Sequence, residues 1–272
     1  MWGDIIIFKK FEELTFADHY IFEKVLQNRE ICQELLERLL KIKIDRIEYL
    51  EIEKTISPYY ETKGVRLDVY VKDSDKVFDI ELQNALDDDL PLRTRFYQSM
   101  IDTDNLLKGQ DYSELPSSFI IFICKYDPFN LNLPIYTFKN RCEENYSLSL
   151  NDKTIKIMYN STAYENEKDL AISAFLEYIC NQKTVDDFTS KIDSFVQKIK
   201  QQEVNRKEYQ TMNLHDRDNF LRGKKEGITQ GAYEKAIETA KNMLKNNISL
   251  EIIVECTGIT LQTVEELANS IT

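Results

Sequence analysis

Residues 64–85 read GVRLDVYVKDSDKVFDIELQNA, two strand-like runs joined by a polar turn at residues 72–76 (KDSDK). Side chains on a strand alternate between its faces with period two. On the first run Leu67, Val69 and Val71 therefore share one face, and Arg66, Asp68 and Tyr70 the other. On the second, Phe78, Ile80 and Leu82 fall together, opposite Asp79, Glu81 and Gln83. Pairing the runs sets both apolar faces against one layer of helices and projects Asp68 and Glu81 from the opposite side. Alternation alone leaves two readings. Either the acids lie on the wet face of an antiparallel hairpin, a common arrangement, or they form a close pair. Two carboxylates held a few ångströms apart repel until one is protonated or a cation intervenes. A divalent ion in such a place lowers the pKa of a bound water and stabilises charge on a phosphoryl oxygen.

Upstream of this pair, residues 18–42 place Ile21, Phe22, Val25 and Leu26, then Leu35, Leu36, Leu39 and Leu40, at helical spacing with a break near Asn28. Another strand-like run, IDRIEYLEIEKTI (44–56), leads into the pair. Downstream, PLRTRFYQSMIDTDNLLKG (91–109) reads as a helix, with Pro91 suited to its first turn and Gly109 to its stop. SSFIIFIC (117–124) is a continuous apolar run between Pro116 and Pro128, the pattern of a strand covered on both faces. PIYTFKN (134–140) and KTIKIMYN (153–160) add strands, and helices are expected from about Glu167 to Met212. Tyr159, Phe175, Phe188 and Phe195 occupy periodic apolar positions there and read as core. A helical module is expected over 213–272, loosened at Gly223, Gly227 and Gly231, with two short helices joined near Thr257 and Gly258. The expected division is thus 1–212 and 213–272.

Composition narrows the function classes. A chain of 272 residues with 42% apolar and 30% charged residues has the make-up of a globular protein with a sizeable core. No apolar run approaches the ~18 residues of a membrane span, so no membrane partner is expected. The opening MWGDIIIFKKFEEL has four consecutive apolar residues after an acid and lacks the form of a secretory signal. Five dispersed cysteines without a CxxC pair point to free thiols in a reducing cytoplasm, not to a disulfide framework or zinc knuckle. His19 and His215 are the only histidines, and neither sits in a nucleophile motif. Metal ligands would then be oxygens, favouring magnesium, manganese or calcium. The net charge of −12 argues against a nonspecific nucleic-acid coat. It is uneven, however: residues 191–245 hold twelve Lys/Arg against eight Asp/Glu, which leaves about −16 on the rest. A local site in which a metal supplies positive charge stays open.

The order helix, three strands, helix, buried strand, with Asp on the second strand and Glu-x-Gln on the third, resembles the PD-(D/E)XK nuclease superfamily. More narrowly it resembles the Rpn family of recombination-promoting nucleases, also called putative PD-(D/E)XK transposases. Six stretches carry the likeness in order: FADHYIFEKVLQN, TKGVRLDVYVKD, FDIELQ, LPLRTRFYQSMID, LLKGQDYSELPSSFIIFICKYDPF and LPIYTFKNRC, together spanning roughly residues 14 to 160. The tail KKEGITQGAYEKAIETAKNMLKNNISLEIIVECTGIT also resembles tails appended to such nucleases. The resemblance implies an α/β fold, a PD-(D/E)XK restriction-endonuclease-like core of mixed sheet flanked by helices, with a C-terminal helical extension. It implies a cytoplasmic, Mg2+-dependent DNA endonuclease (Mn2+ as the alternative ion) linked to recombination or mobile elements.

Carried over by position, the resemblance makes Asp68 the metal-binding aspartate and Glu81 the second carboxylate, with the main-chain carbonyl of Leu82 as a further ligand. Gln83 stands where the superfamily usually has lysine; a neutral amide orients water or a phosphate oxygen but brings no charge. Asp18 is read either as a third carboxylate at the metal or as an N-cap, and Glu23 either as a fallback acid or as part of a solvated helix face. Arg93 and Arg95 open a helix, where cations oppose the macrodipole. They are read as phosphate contacts with Tyr97 beside them, or as partners of Asp87, Asp88 and Asp89. Lys63 and Arg66 flank Asp68 as phosphate contacts or as ordinary surface charge. The last helix, around LQTVEELANS, carries Glu265 and Glu266 and no Lys or Arg, which suits packing or self-association better than DNA reading. The competing class is a catalytically silent scaffold of the same fold that self-associates through its C-terminal helices, and a third reading is a nuclease acting on RNA.

Overall fold

The computed structural model describes residues 9–57 and 63–271, without the side chains of 215–218, 220 and 271. The first eight residues of the opening segment and the His215 side chain lie outside the described residues. The chain divides into two compact units, one of residues Lys9–Arg206 and one that includes the residues from Lys207 onward.

The larger unit is built on a six-stranded sheet. Its strands are β1 (Tyr49–Ile56), β2 (Val65–Asp73), β3 (Lys76–Gln83), β4 (Ser117–Cys124), β5 (Ile135–Phe138) and β6 (Thr154–Asn160), in the order β1-β2-β3-β4-β6-β5. β2 and β3 form a hairpin whose two-residue turn puts Ser74 at φ 49°. β3, β4 and β6 run parallel and β1 and β5 are antiparallel edges, so the sheet is mixed. The apolar run in β4 is buried on both faces, and Ile120 to Ile123 are wholly inaccessible. Helix α1 (His19–Leu26) gives way to α2 (Arg29–Leu40) at Asn28, whose side chain accepts from the N–H groups of Glu30 and Ile31. That bond satisfies two donors a helix start leaves open, which is why the break falls at this residue. Helices α4 (Leu170–Asn181) and α5 (Asp187–Gln201) are capped in the same way by Asp169 and Asp186. Tyr159 of β6 ties the sheet to α2 by donating its hydroxyl to the Leu39 carbonyl.

Helix α3 (Leu90–Asn105) covers the sheet face that alternation left either wet or dry. Its Leu90, Met100 and Ile101 pack with Tyr70, Val77, Phe122 and Met158. Burying each such side chain is worth about 1.5–3 kcal/mol, so a face this apolar does not stay wet. Of the two readings of this hairpin, the wet face is thereby excluded: Glu81 is only 3% exposed and Asp79 not at all. A correction concerns Leu67. It joins the cluster of Tyr70 and Val77 instead of staying with Val69 and Val71, so the alternation is interrupted between Leu67 and Tyr70. Helix α3 also stops before Gly109. Asn105 turns its amide back to donate to the Ile101 carbonyl and to the Tyr70 hydroxyl, and Gly109, at φ 93°, serves the turn beyond.

In the second unit, α6 (Glu203–Lys245) begins within the larger unit and runs unbroken through Gly223, Gly227 and Gly231. Each glycine costs about 1 kcal/mol relative to alanine in a helix. Gln230 donating to Glu234 and Lys235 pairing with Glu238 lend support on the same helix. The expected 212/213 boundary therefore falls inside a helix. Helices α7 (Leu250–Thr257) and α8 (Leu261–Ile271) turn at Gly258, φ 71°, and bury Ile253, Ile259 and Val264 against Ala240. Among the described residues, no helix is long and apolar enough to cross a membrane.

A candidate active site where three strands part

The β2–β3 ladder is regular from Asp73↔Lys76 to Val69↔Ile80 and stops there. One step further the register brings Asp68 opposite Glu81. On the other side of β2, the ladder to β1 passes from Ile52↔Val69 to Lys54↔Leu67 and skips Glu53, which sits at φ 54°. A non-glycine residue in the left-handed region costs roughly 1–2 kcal/mol, and such strain clusters at functional sites. Three acids from three adjacent strands thus mark one level at which the sheet opens.

Side chains take over the lost backbone pairing. The Asp68 main-chain N–H donates to Glu81 Oε1 at 2.8 Å, and the Leu82 N–H donates to Asp68 Oδ2 at 3.1 Å. Each carboxylate therefore grips the other strand, which holds the two acids together in a nearly dry place. The Glu81 carboxyl is pushed up to about 8 by burial and then by repulsion from Asp68, against the pull of the Asp68 N–H and Arg93. Asp79, also on β3, is raised well above the carboxylate range by burial and by Glu81 and Asp68. Among the described residues neither of its carboxyl oxygens meets an N–H or neutral hydroxyl donor; the group it faces is the Glu81 carboxyl, to which the protonated Asp79 donates.

Helix α1 closes one side. His19 Nδ1 stands 3.4 Å from Asp68 Oδ2, and that carboxylate raises the imidazole pKa above its ordinary value. One turn on, Glu23 is pushed up to about 7 by burial and by repulsion from Glu53 and Asp68, which places it within reach of the same cluster's charge. Asp18 is directed elsewhere. It is the N-cap residue of α1, yet its carboxylate accepts from the Thr15 N–H (2.8 Å) and hydroxyl (3.0 Å) and pairs with Lys9 at 2.6 Å. The side chain thus makes no helix cap and is held by Thr15 and Lys9, while its neighbour His19 reaches Asp68.

The cations come from α3 and β2. Arg93 Nη1 donates to Gln83 Oε1 (3.0 Å) and Asp87 Oδ2 (2.8 Å), and its Nη2 donates to the Tyr97 hydroxyl (3.2 Å) and lies 3.6 Å from Glu81 Oε2. Burial opposes this charge, but Asp87 and Tyr97 outweigh it and hold the guanidinium above its usual pKa. Gln83 also donates from its amide nitrogen to the Ala85 carbonyl at 2.7 Å, so protein groups hold both ends of the side chain. Arg66 pairs with Glu53 at 2.7 Å. Arg95 and Lys63 are exposed, and with Arg66, Arg93 and Tyr97 they line a groove of about 510 Å³ in which Asp89 is the one acid among the described residues.

Sequence reasoning brought forward Asp68, Glu81, Gln83 and Arg93 and passed over His19, Asp79 and Glu53. Asp79 was within its reach, since alternation put it on the face of Glu81. His19 offered only its place beside Asp18, and nothing in a lone Glu53 announces a left-handed residue. No curated protein and no solved structure matches the chain. A family model does, over residues 15–214, a span that takes in every strand, the parted ladder and the Arg93 helix. The chain belongs to that family, the PD-(D/E)XK nuclease family transposases.

Proposed function

We propose that this chain is a divalent-metal-dependent endonuclease of the Rpn type that hydrolyses phosphodiester bonds in DNA and serves recombination or mobile elements. Family membership supplies the coarser part, a nuclease- or transposase-type function, and transposition is chemistry performed on DNA. The observation that carries the finer reading is the interlocked Asp68–Glu81 pair at the opened ladder.

The residues fit a hard divalent cation. Among the described residues no three His, Cys, Asp or Glu side chains form a closed metal cage. Magnesium does not need one, since it is usually held by one or two carboxylates and keeps waters or substrate phosphates as its other ligands. The donors are carboxylate oxygens, and burial with repulsion from Asp68 keeps protons on Glu81 and Asp79, a stress that a cation beside them would relieve. Asp68, Glu81 and the Leu82 carbonyl would hold the ion, which when bound supplies a Lewis acid and an acidified water. The protein's own part is positional. His19 steadies Asp68, Arg93 neutralises Glu81, and the groove of Lys63, Arg66, Arg93 and Arg95 receives the phosphate backbone.

Incubating the chain with plasmid DNA and with RNA, with and without magnesium or manganese, tests the reading. DNA cleavage that needs the metal and disappears in both Asp68→Ala and Glu81→Ala is the expected result. Cleavage surviving in both variants would remove the site, and RNA as the preferred substrate would change the substrate class. An inert protein that binds no divalent ion by calorimetry would leave the scaffold.

A further inference from the structure

Cleaving a phosphodiester beside Asp68 and Glu81 would build further negative charge on its oxygens. Gln83, on the strand beside them, brings none of the compensating charge. Among the described residues, Arg93 is the one Lys or Arg in contact with the Asp68–Glu81 pair. It is also the residue that Gln83 holds.

We propose that Arg93 is a catalytic residue of this site. Its guanidinium contacts a non-bridging oxygen of the phosphodiester lying at Asp68 and Glu81 and stabilises the charge that develops there. Gln83 is the positioning residue that aims it. The inference rests on the nuclease reading above and goes beyond it by assigning these two side chains. Three observations support it. First, the guanidinium is fixed before any substrate arrives: Gln83 and Asp87 take the Nη1 hydrogens, and the group lies against the Tyr97 and Phe122 rings, 5.5 and 5.6 Å from their centroids. A donor set in advance costs no reorganisation when charge develops. Second, donors remain. Of the five N–H groups on an arginine, Nε–H and one on Nη2 carry no hydrogen bond among the described residues, and the Tyr97 hydroxyl, which accepts from Nη2, keeps its proton to give. Third, the side chain is 31% exposed and lines the basic groove, so a bound strand can reach it.

The reciprocal placement of Gln83 and Arg93 supplies the test. Arg93→Ala should lower kcat about 10²–10³-fold, as loss of one preorganised donor does, with KM moved by less than about threefold. Arg93→Lys, which keeps charge but not the fork, should fall between. Adding Gln83→Lys to Arg93→Ala should return a cation to the pair and recover about tenfold or more of the loss; a merely structural role for Arg93 would not be rescued in this way. Arg93→Ala within about threefold of the parent, a loss confined to KM, or a double variant no faster than Arg93→Ala would each overturn the proposal. A second measurement needs neither turnover nor a folded variant. The isotope-labelled side-chain NMR signal of Arg93 in the unaltered protein should move when a duplex oligonucleotide is added in calcium. A signal unmoved at saturation overturns the contact. If the protein cleaves nothing with any metal, the nuclease reading fails by itself, and this signal still reports whether Arg93 meets phosphate.

Discussion

Asp79 and Glu81 stand two apart on a central strand, one with no access to solvent and the other with almost none, in the field of Asp68. A carboxyl whose folded pKa lies above its unfolded value binds a proton more tightly in the native state. Its contribution to stability is then full below the unfolded pKa and is lost as pH rises toward the folded one. For Glu81 that window runs from 4.5 to about 8, and because the two acids titrate as a pair, Asp79 extends it in the same direction. The metal-free protein should therefore lose thermal stability as pH rises from 5 to 8. Glu81→Gln, which removes the ionising group and keeps the oxygen that accepts from the Asp68 N–H, should melt higher than the parent at pH 8 and level with it near pH 5. A gain of roughly 2–4 °C corresponds to about 1 kcal/mol in a chain of this size. Melting curves across pH in a chelator decide it, and a variant no more stable at pH 8 would mean that Glu81 is not under electrostatic stress. This cost is the kind a functional site imposes on its fold. The residues that bear it were legible in the sequence because period two fixes which side chains share a strand face. The left-handed Glu53 was not, since a bond missing between two strands leaves no trace in either.

At the scale of elements, α1 matters to the site because it presents His19 and Glu23. What starts it is the turn in which the Asp18 carboxylate takes the Thr15 N–H and hydroxyl and the Lys9 ammonium. Burial pushes the Asp18 pKa up, but these bonds outweigh it and leave the group below its ordinary value. The stability it supplies is thus present above the unfolded carboxylate pKa and is lost as pH falls through the lower, folded one. Asp18→Ala is expected to cost about 1.5–3 kcal/mol, the range for hydrogen bonds to a charged group, read as a lower melting temperature at neutral pH. Divalent-ion affinity by calorimetry should stay unchanged; a large drop would restore Asp18 to the metal. The elements were legible where the pattern was local: the Asn28 break, the hairpin turn and the doubly buried β4. They were less so where tertiary contacts decide. Alternation left the acids' face wet or dry; helix α3, whose apolar residues are spread around it, covers that face, and Asn105 ends the helix early by bonding to Tyr70 of β2, a contact no local signal carries.

For the whole molecule, a net charge of −12 has to be reconciled with a polyanionic substrate. The groove shows how the two coexist. Of its four cations, Arg66 and Arg93 are already paired with Glu53 and Asp87, while Lys63 and Arg95 have no ion pair among the described residues. Binding to DNA releases roughly 0.9 counterion per phosphate contact, and the logarithm of affinity falls with the logarithm of salt by that slope. Two cations without an ion pair, Arg93 with donors to spare and Arg66, which must release Glu53, predict a slope between about −2 and −4, far shallower than that of a basic DNA-binding protein. Because the acidic remainder of the chain repels DNA at long range, affinity at low salt should also be modest and depend on the divalent ion. Fluorescence anisotropy of a duplex oligonucleotide, titrated in calcium at several salt concentrations, measures the slope directly. Arg95→Ala should make it shallower by about one unit, and Lys63→Ala by the same amount. A slope near zero would mean that no backbone lies in the groove. One of about −8 or steeper would mean that phosphates are bound mainly elsewhere on the molecule, where the sequence between residues 191 and 245 holds its excess of Lys and Arg.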